Sequence, residues 1–280
     1  MPRIEALNIL TTEEGKEYLA ELYGKVIKNV QKSMISSKLK NMDLSGDPTS
    51  GSVEAKRFAN AKSQAYGTAR GAGKGNAVKA KPVVVQIDTD NEFVEEIEEK
   101  DTRLYGVDGL LERRSANHVL GMATELDNAF FTEAAGVAVE VEVAADAAIE
   151  DILEAVIQEC ENTQNDFVDG VPRAMMHLSL SSKYYGAVRN ALDKQTRANV
   201  DTAAEEFYVW HGVETDSNIH LPTGCDVLLM VKGAVAQPVM ASQYNAEKIP
   251  LSEAYGVSLF YHYGTDAVTP DLIFKAKVTA

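Results

Sequence analysis

Cysteine is scarce in this chain of 280 residues, which contains only Cys160 and Cys225. The two lie far apart and neither belongs to a CxxC pair, so the sequence predicts no disulfide framework and no thiolate metal site. The five histidines show no HxxxH or HExxH spacing, and a metal site would need ligands from distant segments. We therefore expect a protein of a reducing compartment without a bound metal.

Long apolar runs are missing as well. No stretch approaches the 18 apolar residues that predict a membrane-spanning helix. The opening MPRIEALNILTTEEGKEYL lacks the basic segment and apolar run of a secretion signal. These absences favour a protein that is made and kept inside a cell, without a membrane partner.

Positive charge is in deficit, since 27 Lys and Arg stand against 42 Asp and Glu and give a formal net charge of −15. A protein whose whole surface binds nucleic-acid phosphates needs the opposite balance, so that class is excluded. Hydrophobic residues make up 45% and charged residues 25% of the chain, which is typical of a folded globular protein.

The glycine-rich segment RGAGKGN lacks the spacing of a phosphate-binding P-loop. That motif needs a glycine five residues before Gly-Lys and a serine or threonine after it. Here Thr68 stands five before Gly73, and Gly75 follows Lys74. Nucleotide binding is therefore not predicted.

An acidic cluster imitates a calcium-binding loop without completing it. Asp88, Asp90, Glu92 and Glu99 have the ligand spacing of such a loop. Phe93, however, occupies the position where the sharp turn needs glycine, and two flanking helices are not predicted. The segment is interpreted as a strand that continues into an acidic surface stretch.

Patterns of nucleophilic catalysis are also absent. Ser179, Ser181 and Ser182 lack the GxSxG turn that exposes a catalytic serine. Cys160 is predicted on the apolar face of a helix, where a thiol behaves as a small hydrophobic side chain, and Trp210 is predicted in the core. The sequence thus predicts no catalytic residue, no cofactor site and no metal ligand.

What the chain does have is segregated charge. Residues 53–81 contain seven bases and one acid, a net charge of +6, together with Gly67, Gly71, Gly73 and Gly75. Residues 82–166 contain 22 acids and four bases, a net charge of −18. A basic, glycine-rich stretch with few large apolar side chains cannot form its own core, so we expect a long loop with a specific role.

Apolar periodicity predicts three main helices. The first covers 11–35, with a capping-box spacing of Thr11 and Glu14, and it packs either on its own domain or as an arm on a neighbouring subunit. The longest runs from an N-cap at Asp108 to Gly136, and Gly121 inside it indicates a close backbone approach. The third begins at a cap at Asp146 and carries its apolar face to Cys160.

Strands are predicted at 83–87, 137–143, 175–180, 207–213, 226–232, 257–263 and 272–278, and Ser181 is predicted to cap a short helix to about Leu192. Helices and strands alternate without a regular βαβ order. The pattern favours the α+β class.

The order of these pieces resembles the major capsid proteins of tailed bacteriophages with the Hong Kong 97 fold. The stretch GSVEAKRFANAKSQAYGTARGAGKGNAVKAKPVVVQIDTD resembles the extended E-loop of that family, and VDGLLERRSANHVLGMATELDNAFF resembles its spine helix. In the second half, AIEDILEAVIQECEN, VPRAMMHLSLSSKYYGAVRNAL and HLPTGCDVLLMVKGAVAQPV resemble successive pieces of the axial domain. The resemblance covers nearly the whole chain and lies in the order and composition of the segments, because the family has no invariant catalytic motif.

This resemblance implies five parts: an N-terminal arm at 1–44, an E-loop at 45–87, a peripheral domain with the spine helix at 88–144, an axial domain at 145–257, and return strands of the peripheral domain at 258–280. In the family the E-loop lies over a neighbouring subunit. Six basic residues are therefore expected to make inter-subunit contacts: Lys56, Arg57, Lys62, Arg70, Lys74 and Lys79.

The implied function is structural rather than enzymatic. Pentamers and hexamers would tile an icosahedral shell around double-stranded DNA in a virion, after assembly in the host cytoplasm. The acidic composition agrees, because a coat that bound DNA tightly everywhere would impede packaging and ejection. Expected partners are other copies of the chain, a portal, decoration proteins and a scaffolding protein. Since the arm helix begins close to Met1, the scaffolding function is expected in a separate protein or in a segment already removed.

Two other interpretations remain open at this stage. An encapsulin-type bacterial compartment would keep the architecture but enclose enzymes, and a groove for cargo tails would distinguish it. An acidic cytoplasmic enzyme with a glycine-rich lid at 60–80 would need convergent titratable groups, yet that neighbourhood contains Lys and Arg without His or Cys.

Overall fold

The computed structural model describes residues 9–75, 77–98, 100–193, 208–242 and 244–279. Its helices are α1 Glu13–Ser33, α2 Thr68–Ala72, α3 Thr102–Val137, α4 Ile149–Glu161 and α5 Ser182–Asp193. None of these helices is long and apolar enough to cross a membrane.

Fifteen strands occur in the same ranges, and the mixture confirms the predicted α+β class. They are β1 Leu44–Ser45, β2 Ser52–Phe58, β3 Ala80–Gln86, β4 Thr89–Ile97, β5 Val139–Ala144, β6 Met176–Leu180, β7 Val209–Trp210, β8 Val213–Ser217, β9 Val227–Val231, β10 Val235–Ala236, β11 Val239–Ala241, β12 Asn245–Lys248, β13 Tyr255–Tyr263, β14 Asp266–Ala267 and β15 Ile273–Thr279.

Helix α1 is amphipathic, as its spacing predicts, but its cap is Thr12 rather than Thr11. The Thr12 hydroxyl accepts a hydrogen bond from the Gly15 amide at 3.3 Å, so the predicted capping box is wrong. The apolar face packs on α3 of the same chain and is buried there: Leu19, Leu22, Val26 and Val30. Of the two placements that the sequence leaves open, the structure shows packing of this face on its own chain.

Helix α3 is the longest element, and its continuous part begins after Gly106, close to the predicted start at Asp108. Gly106 breaks it with φ 73° and ψ 177°, a conformation that glycine adopts without steric cost. Further along, a Cβ at Gly121 would lie 3.2 Å from the ring of Phe93. The close approach indicated by Gly121 is thus confirmed, and its partner is a side chain of β4.

The peripheral sheet is built around β13. Strand β4 pairs antiparallel with β13 along nine positions, and β11 and β12 pair with the other edge of β13. The sequence predicted that the preceding strand continues into an acidic surface stretch, and the structure shows that most of this stretch forms the separate strand β4 with alternating burial. Asp90, Glu92 and Glu96 lie on the exposed face, while Phe93 and Ile97 join the core under the sheet.

The axial sheet has six strands in the order β5-β15-β9-β6-β8-β7. Helices α4 and α5 share a core with it, and the predicted apolar face of α4 is confirmed: Ile152, Leu153, Val156, Ile157 and Cys160 are buried. The N-cap of α4 is Ala148, whereas Asp146 lies exposed in the preceding turn. Strands β5 and β15 lie outside the expected axial domain at 145–257, yet they pair within the axial sheet. The expected domain boundaries at 144 and 258 therefore do not coincide with the limits of the sheets.

Most other predicted strands are confirmed within two or three residues at each end. Ser181 caps α5, since its hydroxyl accepts from the Tyr184 amide at 3.4 Å. Phe207, the predicted start of one strand, lies outside the described residues. The rest of that segment forms β7 and β8, joined through His211 and Gly212 with φ of 45° and 89°.

Candidate assembly surface

Strands β2 and β3 form a hairpin whose root belongs to the core of this chain. They pair over seven positions, from Ser52 with Gln86 to Phe58 with Ala80. Val53, Ala55 and Val85 are buried at the root. Beyond the root, the described residues from 60 to 82 are exposed. The basic segment therefore has an anchored base and an outer part that its own chain leaves uncovered.

A glycine fixes how the hairpin root meets the peripheral sheet. A Cβ at Gly264 would lie 1.6 Å from the carbonyl oxygen of Gln86, far inside any real contact. Only glycine permits this approach of two backbones. The end of β3 is thus held directly against the end of β13.

Arg57 differs from the other basic residues of the hairpin. Its guanidinium forms a bidentate pair with Asp271, with Nη2 2.8 Å from Oδ2, and it stacks over the ring of Phe167 at 4.4 Å. Inter-subunit contact by Arg57 stays a prediction, and its charge is already paired with an acid of the same chain. Burial opposes ionisation of Asp271, but the hydrogen bonds and charge of Arg57, together with a hydrogen bond from Asn165, lower the pKa of that carboxyl.

The other five predicted residues face solvent, as an inter-subunit contact requires. Lys56, Lys62, Arg70, Lys74 and Lys79 are all exposed. Lys56 lies 3.9 Å from Glu54, a weak surface pair. Inter-subunit contact by these cations remains a prediction.

Apolar side chains accompany the cations, and the sequence analysis missed their role. Tyr66 is 100% exposed and Val78 is 83% exposed near the tip, while Phe58 and Val84 lie on the outer face of the strands at 56% and 49%. Aromatic side chains and arginines are enriched in protein interfaces relative to the rest of the surface. Their exposure could have been suspected from the lack of other large apolar residues between 59 and 79.

The outer face of the peripheral sheet has the opposite charge. Asp90, Glu92 and Glu96 of β4 are exposed on it, and Glu247 of β12 joins them across β13. Val94 and Phe260 lie among these acids at 58% and 38% exposure. His262 lies beside these acids, with Nδ1 2.6 Å from Asp90. We call this set the acidic sheet face.

Buried polar contacts hold the acidic sheet face in place from below. His118 of α3 bonds Tyr244 at 2.7 Å through Nδ1 and stacks on Phe93. Arg114 binds Glu95 on the inner side of β4 and lowers the pKa of that carboxyl. Strand β4 is thus fastened to the spine helix, and its outward acids sit on a rigid base.

The arrangement of titratable groups does not support catalysis. Ser179 and His177 both bond the carboxylate of Asp216, each at 2.9 Å, so the histidine is not placed to activate the serine. Burial raises the pKa of Cys160 to about 12 and that of Cys225 to about 11, which keeps both thiols protonated. Within the described ranges, no cluster of His, Cys, Asp and Glu could hold a metal ion.

Solved capsid structures of phages share the fold of this chain. The capsid of the cyanophage P-SCSP1u superposes with a TM-score of 0.64 at 14% identity, over 88% of each chain. The Mycobacterium phage Che8 structure gives a TM-score of 0.59 at 14% identity, over 81% of this chain and 84% of that chain. This chain has the Hong Kong 97 capsid fold.

The capsid fold extends beyond phages in these comparisons. A virus-like particle from Pyrococcus furiosus matches with a TM-score of 0.58 at 13% identity, over 93% of this chain and 100% of that chain. No family model and no curated protein matches the sequence. At such low identity the capsid fold is carried by topology and core pattern.

Proposed function

We propose that this chain is the major capsid protein of a tailed phage and forms the pentamers and hexamers of an icosahedral shell. The observation that carries the proposal is the hairpin, in which cations and aromatic side chains are exposed together on a chain with a capsid fold. Such a surface gains burial and charge neutralisation only from another molecule.

The acidic sheet face of a second copy is the surface that suits the hairpin. It offers three exposed carboxylates on one strand, with Val94 and Phe260 between them. Individual exposed ion pairs contribute only about 0.2 to 1 kcal/mol. A closed shell repeats the contact at every subunit, so weak contributions accumulate over the assembly.

The parts of the chain then take the roles that the resemblance implies. Residues 1–44 act as the arm, 45–87 as the E-loop, and 88–144 and 258–280 supply the peripheral domain around the spine helix. Residues 145–236 form most of the axial domain, which β5 and β15 complete, whereas β11 and β12 belong with β4 and β13 to the peripheral sheet. The shell encloses double-stranded DNA, is assembled in the host cytoplasm, and works with a portal, a scaffolding protein and decoration proteins rather than as an enzyme.

Deletion of the hairpin tip tests this function. Replacing Asn60 to Asn76 by a short turn removes exposed residues and leaves the buried root at Val53 and Val85 intact. We expect a soluble chain with unchanged thermal unfolding that forms no shells in negative-stain images, while the intact chain forms them. Normal shells from the deletion variant would contradict the proposed role of the hairpin in assembly.

A compartment shell is the second candidate, favoured by the similarity to the Pyrococcus furiosus virus-like particle. Both candidates predict shells, so the contents decide between them. Particles from the native host that contain nuclease-protected DNA support the phage capsid. Particles that contain a stoichiometric enzyme and no DNA support the compartment.

A further inference from the structure

A cavity of about 450 Å³ lies between α1 and α3 and is partly open to solvent. Its walls are mostly apolar and come from both helices: Tyr23, Ile27, Val30, Met34, Met122 and Leu126. The volume is within the usual range of small-molecule sites, which are largely apolar with a few polar groups. The cavity is separate from the hairpin and from the acidic sheet face.

One cation lines this cavity. Lys40 follows α1 and is partly buried, and its Nζ lies 3.9 Å from the sulfur of Met34, which is a weak acceptor. Across the described part of the chain, no carboxylate oxygen lies within ion-pair distance of Nζ. Burial lowers the pKa of Lys40 to about 8, and the charge of Asp127 opposes this only in part. A desolvated ammonium without a counter-ion is an unfavourable arrangement.

Asp127 does not act as that counter-ion. Its two oxygens accept hydrogen bonds from the Ile35 amide at 2.9 Å, the Ser36 amide at 3.1 Å and the Ser36 hydroxyl at 2.5 Å. The carboxylate is therefore occupied by the turn that follows α1. The cavity retains an ammonium among mostly apolar walls, which Gln31, Ser37 and Gln237 complete.

We propose that this cavity binds a medium-chain alkyl carboxylate, with the carboxylate on Nζ of Lys40 and the alkyl chain between α1 and α3. Charge complementarity selects this class, because a neutral apolar ligand would leave the ammonium unpaired and a small anion would leave the apolar walls empty. The bound acid would hold the arm against the spine helix. The proposal does not depend on shell formation.

Calorimetric titration of the full soluble chain with decanoate and decanol at pH 7 tests the site. We expect decanoate to bind at least about tenfold more tightly than decanol, as a charge-assisted hydrogen bond implies. Lys40→Met should abolish that preference, whereas Lys32→Met, which removes an exposed lysine of α1, should retain it. The affinity for decanoate should fall above pH 8, where the amine loses its proton.

Two further measurements keep the test independent of the stability of the lysine variant. Ile27→Trp fills the cavity and should abolish binding of both ligands. In the unaltered chain, decanoate should raise the pKa of a single lysine side chain when all lysines are followed by NMR. The proposal would be overturned if Lys40→Met kept the preference of the unaltered chain for decanoate over decanol, or if Ile27→Trp bound both ligands as the unaltered chain does. It would also be overturned if decanoate changed the pKa of no lysine, or if the chain bound an acidic peptide but not decanoate.

Discussion

Asp127 of the spine helix holds Ser36 of the arm through both the backbone and the side chain of that serine. The Ser36 amide donates to Oδ1 at 3.1 Å and its hydroxyl donates to the same oxygen at 2.5 Å, while the Ile35 amide donates to Oδ2. Both residues are buried, at 1% and 0% exposure. A single carboxylate therefore caps the short 3-10 helix Ser36–Lys38 and fixes where the chain leaves α1.

Removing this cap should loosen the arm from the spine helix. Asp127→Asn replaces the carboxylate by an amide, whose NH2 group would face an N–H or O–H donor of Ile35 or Ser36 without an acceptor between them. We expect the free energy of unfolding to fall by about 2–3 kcal/mol. Ser36→Ala should cost less, about 1 kcal/mol, since one hydrogen bond is lost. Urea unfolding measures both, with Asn117→Ala on the exposed side of α3 as a near-neutral control. Equal stability of Asp127→Asn and the control would contradict the role of this carboxylate.

Gly264 and Gly136 should respond in opposite directions to alanine. At Gly264 the new Cβ would fall 1.6 Å from a backbone oxygen, so the hairpin root must shift, and we expect a loss of about 1–3 kcal/mol. At Gly136, inside α3, nothing lies within 4 Å, so alanine should stabilise by about 0.5–1 kcal/mol through helix propensity. Thermal unfolding of both variants under one condition shows whether Gly264→Ala lowers and Gly136→Ala raises the stability of the chain.

Charge reversal should separate the anchoring arginine of the hairpin from its exposed cations. Arg70→Glu with Lys74→Glu should leave subunit stability unchanged and weaken assembly, most strongly at low salt where surface charges are least screened. Arg57→Glu should instead lower the stability of the free subunit, because it places an acid against Asp271. Light scattering follows assembly across a salt series, and calorimetry follows subunit unfolding. Assembly of the double variant that matches the intact chain at every salt concentration would exclude the predicted contact.

Two carboxylates should contribute to stability at neutral pH and lose that contribution in acid. Arg173 lowers the pKa of Glu154 to about 2, and Lys232 together with Lys38 lowers that of Glu214 to about 2. Because both folded-state pKa values lie below the unfolded value near 4.3, the contribution is complete above about pH 5 and is lost towards pH 2. Urea unfolding between pH 7 and 2 should show a shallower acid loss in Glu154→Gln and Glu214→Gln. Glu150→Gln on the same helix is the control and should follow the unaltered chain.

Local pattern determined much of the secondary structure. The apolar face of α4 and the alternation in β5 were predicted from spacing alone, because periodicity of side chains is a property of neighbouring residues. The segregation of charge between 53–81 and 82–166 was equally visible in the sequence, and it located the exposed hairpin before any strand pairing was known.

Partners far apart in sequence were decided only by the tertiary structure. Arg57 looked like the other five cations of its segment until the fold brought Asp271 to it from 214 residues away. The acidity of β4 indicated only that it is not buried on both sides, and pairing with β13 placed it as a half-buried strand of the sheet. The desolvation of Lys40 likewise depends on how α1 lies against α3. Composition and spacing describe what a residue can do, but burial and charge pairing depend on distances that long-range packing alone sets.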